Sequence, residues 1–408
     1  MRAVTARAVV AVLLTGTLTG TLTGTFTGTF TGASPSAANS ATTTDSPAGS
    51  IVYDGATIAV PTSWPVYNLT ADPTRCVRFD QHAVYLGHPG PDQRCPAHLV
   101  GRTTALLVEP YDDQAAVTPA DTDSGSTQAV SANGRVLITA SYGSGGTVSA
   151  TAAMGGTAVQ AAAPTPRPAV AAPGTVTPAA VTGSGSGFDT CAAPSKASMK
   201  AWSTAQFSSV AIYIGGINRA CADGNLTSSW VSVIKSYGYH LIPTYVGRQA
   251  SCASIGTAIN TNPGLAGTDG RNAAADAVHD MQRLGLGKGD PIYLDLEQYE
   301  GDSSCGRSVL RFVDGWVSRL HSSGYVAGVY TSNFADLLNR YRAADFHDPD
   351  AVWIGRWNGE ASVYGDPVVP DSAWAPHRRL HQYRGPHDQK HGGVTINIDT
   401  DYVDGPVA

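Results

Sequence analysis

Short apolar runs separated by amphipathic stretches dominate the second half of the chain. β-branched and aromatic clusters appear at 187–190, 210–214, 240–246, 291–297, 326–331, 351–357, 379–383 and 398–401. Each is four to seven residues long, the length expected of strands. Between the early ones lie helical patterns at 198–205, 229–237, 271–284, 307–320 and 334–341. In the fourth of these, Leu310, Val313, Trp316, Val317 and Leu320 fall on one stripe, the period of a helix with one buried side. Alternation of this kind predicts a parallel sheet covered by helices, and eight strands in this length predict a (β/α)8 barrel of the TIM type. Helical patterns fade after the sixth strand, which leaves the last two units open to being incomplete.

The first half is patterned differently. Residues 50–153 carry short β-leaning runs at 51–53, 57–60, 83–86, 105–108 and 136–139, with turn residues between them and no long helical period. They predict a small β-rich domain. From 154 to 185 the sequence is almost wholly Ala, Pro, Thr, Val, Gly and Ser, with one charge at Arg167, and so reads as a tether between two domains. The barrel is expected over 186–408. Attachment of a sugar- or wall-binding role to the first domain is analogy with other tethered modules only.

The amino terminus changes the picture of where the protein works. Arg2 and Arg7 precede the apolar run Ala8–Leu14, and small residues follow to Ala38. This is the layout of a secretory signal, so residues 1–38 are expected to direct export, with 39–49 as an unstructured lead-in. Thr17–Gly32 repeats a TxTG tetrad, too short a period for a solenoid unit and read as low-complexity spacing. No later stretch is apolar for the ~20 residues a membrane span needs. A secreted, extracellular protein is the expectation, with association to the cell wall as one option.

Charge and cysteine content narrow the function classes. With a net charge of −6, 14% charged residues and no Lys/Arg cluster, the chain lacks the footprint for nucleic acid. Six cysteines in an exported chain predict disulfides. Cys76 and Cys95 are expected to pair in the first domain. Cys191, Cys221, Cys252 and Cys305 allow three arrangements, but they follow strands one to four in turn. Neighbouring loops are more easily bridged, which favours Cys191 with Cys221 and Cys252 with Cys305.

Chemistry concentrates at strand ends. Asp295 and Glu297 stand two apart on a strand that otherwise reads Ile-Tyr-Leu, so both are expected to face the lumen at the barrel's active end. Two close carboxyls drive their pKa values apart, as acid catalysis requires. Asp189 closes the first strand, while Asp399 and Asp401 lie on the last, which adjoins it in a closed barrel. Tyr245, Tyr330, Trp357, His381 and Tyr383 sit at other strand ends, where aromatic faces can stack on sugar rings; Trp353 is expected to be core. His377, His381, His387 and His391 have four-residue spacings that would converge on a metal only in a helix, and the local sequence is not helical. No metal or cofactor is expected. No G-x-S-x-G elbow follows a strand, so serine catalysis has no support.

The series GFD (187–189), YLDLE (293–297), VYTS (329–332), WIGRW (353–357), HQY (381–383) and IDTDYVD (398–404) resembles the family 25 glycoside hydrolases, the lysozyme-type muramidases. It is more similar still to the actinobacterial glycoside-hydrolase-like domain of unknown function family 1906. The resemblance runs from about Ser186 to Asp404. It implies Glu297 as proton donor to a glycosidic oxygen and Asp295 as nucleophile or as the group steadying a substrate acetamido. Asp189 and one of Asp399 or Asp401 would support them. The muramidases usually carry Trp where His381 stands, and their last-strand motif differs. The expected function is therefore hydrolysis of peptidoglycan or a related amino-sugar polymer, with a non-catalytic glycan-binding barrel as the alternative. Oligomeric state is not encoded in any of these signals.

Overall fold

The computed structural model describes residues 48–111, 125–131, 133–143, 181–222, 224–300 and 303–408. The expected export signal, the TxTG repeats and the stretch 39–47 lie outside these residues, as does the expected tether up to residue 180. Ser46–Ala408 forms one unit.

Its first part is a hairpin of β1 (Ala48–Tyr53) and β2 (Ala56–Pro61), turned at Asp54 and Gly55, both with positive φ. Beside it lies a five-stranded sheet of β3 (Val66–Asn68), β4 (Val84–Leu86), β5 (Ala105–Pro110), β6 (Ser126–Val130) and β7 (Val136–Ser141), in the order β3-β4-β5-β7-β6. Ile58, Val60, Val84, Leu106, Val108 and Ile138 pack as its core.

The second part is a closed barrel of β8 (Val181–Asp189), β9 (Ser209–Gly215), β10 (His240–Tyr245), β11 (Pro291–Asp295), β12 (Val326–Thr331), β13 (Ala351–Gly355), β14 (Arg379–His391) and β15 (Val394–Val407). β8 starts inside the stretch expected to be tether. All eight predicted runs fall on these strands. The predicted helices are α1 (Lys196–Trp202), α2 (Ser228–Ser236), α3 (Pro263–Arg283), α4 (Ser303–Ser323) and α5 (Ala335–Arg340).

The expected (β/α)8 architecture is nevertheless overturned. Five helices, not eight, cover the sheet among the described residues, and the eight-stranded β-barrel is of mixed direction. Neighbours from β8 through β14 run parallel, each pair but the last crossing over through one helix. β14 and β15 are long and antiparallel, and β15 closes the barrel antiparallel to β8. A parallel neighbour needs a crossover, whereas an antiparallel one needs only a turn. Gly392 and Gly393 supply that turn, with φ of 56° and 86°. Between β13 and β14 a loop replaces the helix. The buried Arg379 guanidinium holds it by donating to the carbonyls of Val363, Pro370 and Ala373.

Strand alternation sorts the two layers. Ile292, Leu294 and Leu296 face outward onto α3 and α4, with Phe312 and Trp316 among their neighbours in the main core. Ala211, Ile242, Tyr293, Tyr330, Trp353, Leu380, Val403 and Val407 fill the lumen. Gly328 is part of that fit, because a Cβ there would stand 2.3 Å from the Tyr293 ring.

Candidate active site

The same alternation that puts Tyr293 in the lumen puts Asp295 there, at the carboxyl end of β11 and 1% exposed. Asp189 ends β8 and stands opposite Asp399 of β15 in the antiparallel register; Asp401 shares the inward face with Asp399 and Val403. All three of these aspartates are fully buried. Glu297 lies just past β11. Its peptide N–H donates to Gln249 Oε1 (2.8 Å), while Gln249 Nε2 donates back to the Asp295 carbonyl (2.9 Å), so one side chain fixes the strand end. Five carboxyl groups thus surround one mouth, and both Asp295 oxygens lack a hydrogen-bond donor among the described residues.

Gln382 organises the opposite wall. Its Nε2 donates to Asp189 (2.8 Å) and Asp399 (3.3 Å), and its Oε1 accepts from Tyr330 (3.0 Å) and from the Trp357 indole (2.8 Å). Tyr213 donates to the second Asp189 oxygen (3.1 Å), and Trp353 donates to Asp401 (3.0 Å). Trp357 stays 58% exposed at the rim. Its free face has the form needed to stack on a ring.

The structure does not bring three of the predicted residues into this set. Tyr245 points outward, where its hydroxyl donates to Asp276 of α3 (2.8 Å) and its ring packs on Trp316. His381 is on the outer face of β14, its ring nitrogens against the carbonyls of Ser362 (2.5 Å) and Arg356 (2.8 Å). Tyr383 is half-buried beside it, with ring centroids 6.2 Å apart. Gln382, the middle residue of the HQY motif, is the one in the mouth. The other histidines of that region are also engaged elsewhere: His377 pairs with Asp404, His387 contacts the Gly385 carbonyl, and His391 packs edge-on against Trp202.

One site residue comes from outside the barrel altogether. His98 lies between β4 and β5, and its Nε2 is 2.8 Å from Glu297 Oε1; its Nδ1 is 3.8 Å from Asp399 Oδ2. The Cys76–Cys95 disulfide anchors this loop. Ala97 N–H donates to Asn397 at the tip of β15 (2.8 Å), Gly101 N–H donates to the Asn218 carbonyl (2.9 Å), and Val100 bridges to Arg219. Sequence reasoning missed His98 because nothing local marks it; only its nearness to Cys95 hinted that the loop is held in place.

The electrostatics follow from burial and from this one imidazole. Burial raises Asp295 well above the usual carboxylate range, and the Glu297 charge adds to it. Burial, then the Asp189 charge, pushes Asp399 up to about 9. Burial also raises Asp189 and Asp401. For His98 burial acts downward, yet the charge and contact of Glu297 override it and carry the imidazole to about 10. For Glu297 burial acts upward, but the His98 charge and contact hold it below its ordinary value. The resting proton inventory is therefore a charged His98, an ionised Glu297 and a neutral Asp295. Ligand atoms of His98, Asp189 and Asp399 lie within 4.8 Å of one another. Both Asp189 oxygens already accept hydrogen bonds, however, and a cation would have to displace the His98 proton.

The remaining cysteines pair as Cys191–Cys221 and Cys252–Cys305, with Cys191, Cys221 and Cys252 on the loops that follow β8, β9 and β10 and Cys305 in the first turn of α4 after β11. The first packs against Cys76–Cys95 and Leu99, under the loop that carries His98.

No curated protein matches the chain. Three of the solved structures it is similar to are an uncharacterized protein of B. stearothermophilus, the Tat-secreted protein Rv2525c of Mycobacterium tuberculosis and the modular autolysin LytC of Streptococcus pneumoniae. The B. stearothermophilus protein is 19% identical, with a TM-score of 0.38, covering 54% of this chain and 95% of that one. Rv2525c, in complex with L-tartrate, is 16% identical with a TM-score of 0.38, covering 55% and 96%. LytC is 14% identical with a TM-score of 0.35, covering 53% of this chain and 46% of its own length; it was also solved with a synthetic peptidoglycan ligand. A family model matches residues 200–403, and by that match the chain belongs to the Rv2525c-like, glycoside hydrolase-like domain family.

Proposed function

We propose that the protein is exported and hydrolyses O-glycosyl bonds in peptidoglycan or a related amino-sugar polymer, with Glu297 as proton donor and Asp295 as its partner. The observation that carries this reading is the pair itself: two carboxyls at one strand end with their proton affinities driven apart, inside a mouth lined by three further acids. Such a difference is what separates an acid from a nucleophile or stabiliser in glycoside hydrolysis. In the resting conformation the proton sits on Asp295. Freed from His98, Glu297 would feel mainly burial, which returns a carboxyl to the protonated form. Asp189 and Asp399 would hold sugar hydroxyl or acetamido groups, and Trp357 would offer a stacking face at the rim. Three disulfides suit an oxidising compartment, in keeping with the export signal read at 1–38.

A wall-digestion assay with mass analysis of the fragments tests this. Wild type should release reducing ends, and Glu297→Gln should lower the rate by at least ~100-fold with the fold intact. An unchanged rate in that variant removes Glu297 from the role. The second reading, a glycan-binding barrel without turnover, draws on the burial of the mouth acids and on Glu297 being ionised as it stands. Co-sedimentation with wall material without any release would select it.

A further inference from the structure

We propose that the loop carrying His98 is a removable cover over the carboxylate mouth, latched by the contact of His98 with Glu297, and that the conformation described is the resting form of the chain. This inference rests on the hydrolase reading only for its effect on turnover.

Three observations support it. First, the mouth is shut: Asp189, Asp399 and Asp401 are 0% exposed and Asp295 1%, while the Glu297 and His98 side chains keep only 16% and 19%. A polymer reaching these groups needs an open groove, and the side chain now set against them is His98, on the loop between β4 and β5 of this same chain. Second, His98 sits where the reaction needs something else. A general acid must lie about 2.6–3.2 Å from the oxygen it protonates. His98 Nε2 holds that position, 2.8 Å from Glu297 Oε1.

Third, the cover is held by breakable contacts. Cys76–Cys95 closes within the first part and Cys191–Cys221 within the barrel, so no disulfide joins cover to barrel, and no cysteine is left free to do so. What joins them is noncovalent: the ion pair, hydrogen bonds such as Ala97 to Asn397, Gly101 to Asn218, Phe79 to Ala220 and Ser198 to Asp92, and the packing of Leu99 and Cys76–Cys95 on Cys191–Cys221. A glycan competing for Glu297, Asp399 and Trp357 would gain contacts by displacing His98. It would thereby open its own site.

Hydroxyl-radical footprinting of the full chain reads the cover without relying on activity. The probes are Tyr213 and Tyr330, which line the mouth and are 6% and 7% exposed. His98→Ala should raise their oxidation about tenfold, the change that a 1.4 kcal/mol shift in the opening equilibrium produces. Asn397→Ala, which loosens the cover from the barrel side and leaves every mouth group in place, should raise it by a smaller factor. Both variants should also digest wall material faster than wild type. Oxidation equal to wild type in both variants overturns the cover. Raised oxidation with no glycan released by any form upholds the cover and instead removes the hydrolase reading. A His98→Ala variant that loses activity at unchanged oxidation makes His98 part of the working site and overturns the proposal.

Discussion

Replacing Asp399 by asparagine should flatten the dependence of stability on pH. Asp399 is fully buried, with one oxygen 3.3 Å from the Gln382 amide and the other without a donor among the described residues. Burial and the Asp189 charge raise it from 3.8 to about 9. A group whose folded pKa is raised contributes stability that is fully present below its unfolded pKa and is lost as pH climbs toward the folded one. Over that window the native state holds one proton that the unfolded chain does not, so stability falls by ~1.4 kcal/mol per pH unit on this account. Between about pH 5 and pH 7 the loss is ~3 kcal/mol. His98 acts in the same direction: raised to about 10 from 6.5, its contribution is complete below 6.5 and disappears as pH rises through 10. Asp189, Asp295 and Asp401 are raised too, and only Glu297 in this cluster is lowered. Wild type should therefore weaken steadily from mild acid to alkali. Urea unfolding at about pH 5, 6, 7 and 8 measures this, with constant m-values confirming that stability alone changes. The substituted amide cannot titrate, and it can donate toward Asp189, so the Asp399→Asn variant should gain on wild type by ~1.4 kcal/mol per pH unit. Parallel pH profiles for the two proteins would refute the assignment of a buried, neutral Asp399.

Two further outcomes follow from packing and hydrogen bonding. Gly328→Ala places a methyl 2.3 Å from the Tyr293 ring and should cost ~1–3 kcal/mol in urea unfolding, whereas an unaffected midpoint would show that the lumen has slack. Gln382→Met keeps the volume but strips two donors from Asp189 and Asp399 and an acceptor from Tyr330 and Trp357. It should destabilise by ~2 kcal/mol or more and raise Trp357 mobility in fluorescence anisotropy; a neutral result would mean that water replaces the amide.

The strands and helices of the barrel were legible because each is a local pattern. Runs such as Val326–Thr331 and the Leu310–Leu320 stripe carry their period within a few residues. Asp295 was placed correctly for the same reason, since parity along a strand reading Ile-Tyr-Leu fixes which neighbours share its face. Parity without an absolute reference misled elsewhere. On β14 the aromatic character of His381 and Tyr383 pointed to that face, and closure of the barrel put Leu380 and Gln382 inside and His381 outside. Tyr245 went outward for the same reason, at a register shift following Thr244.

The sequence by itself determined that strands, crossover helices and strand-end acids would occur, and in which order, because propensity and hydrophobic period act over one element at a time. Tertiary structure decided the direction of the last strand, where the turn at Gly392 and Gly393 returns the chain antiparallel to β14. It also decided that His98 would meet Glu297. That contact joins residues far apart in the chain, and no local pattern can encode a meeting that depends on two distant stretches packing against each other.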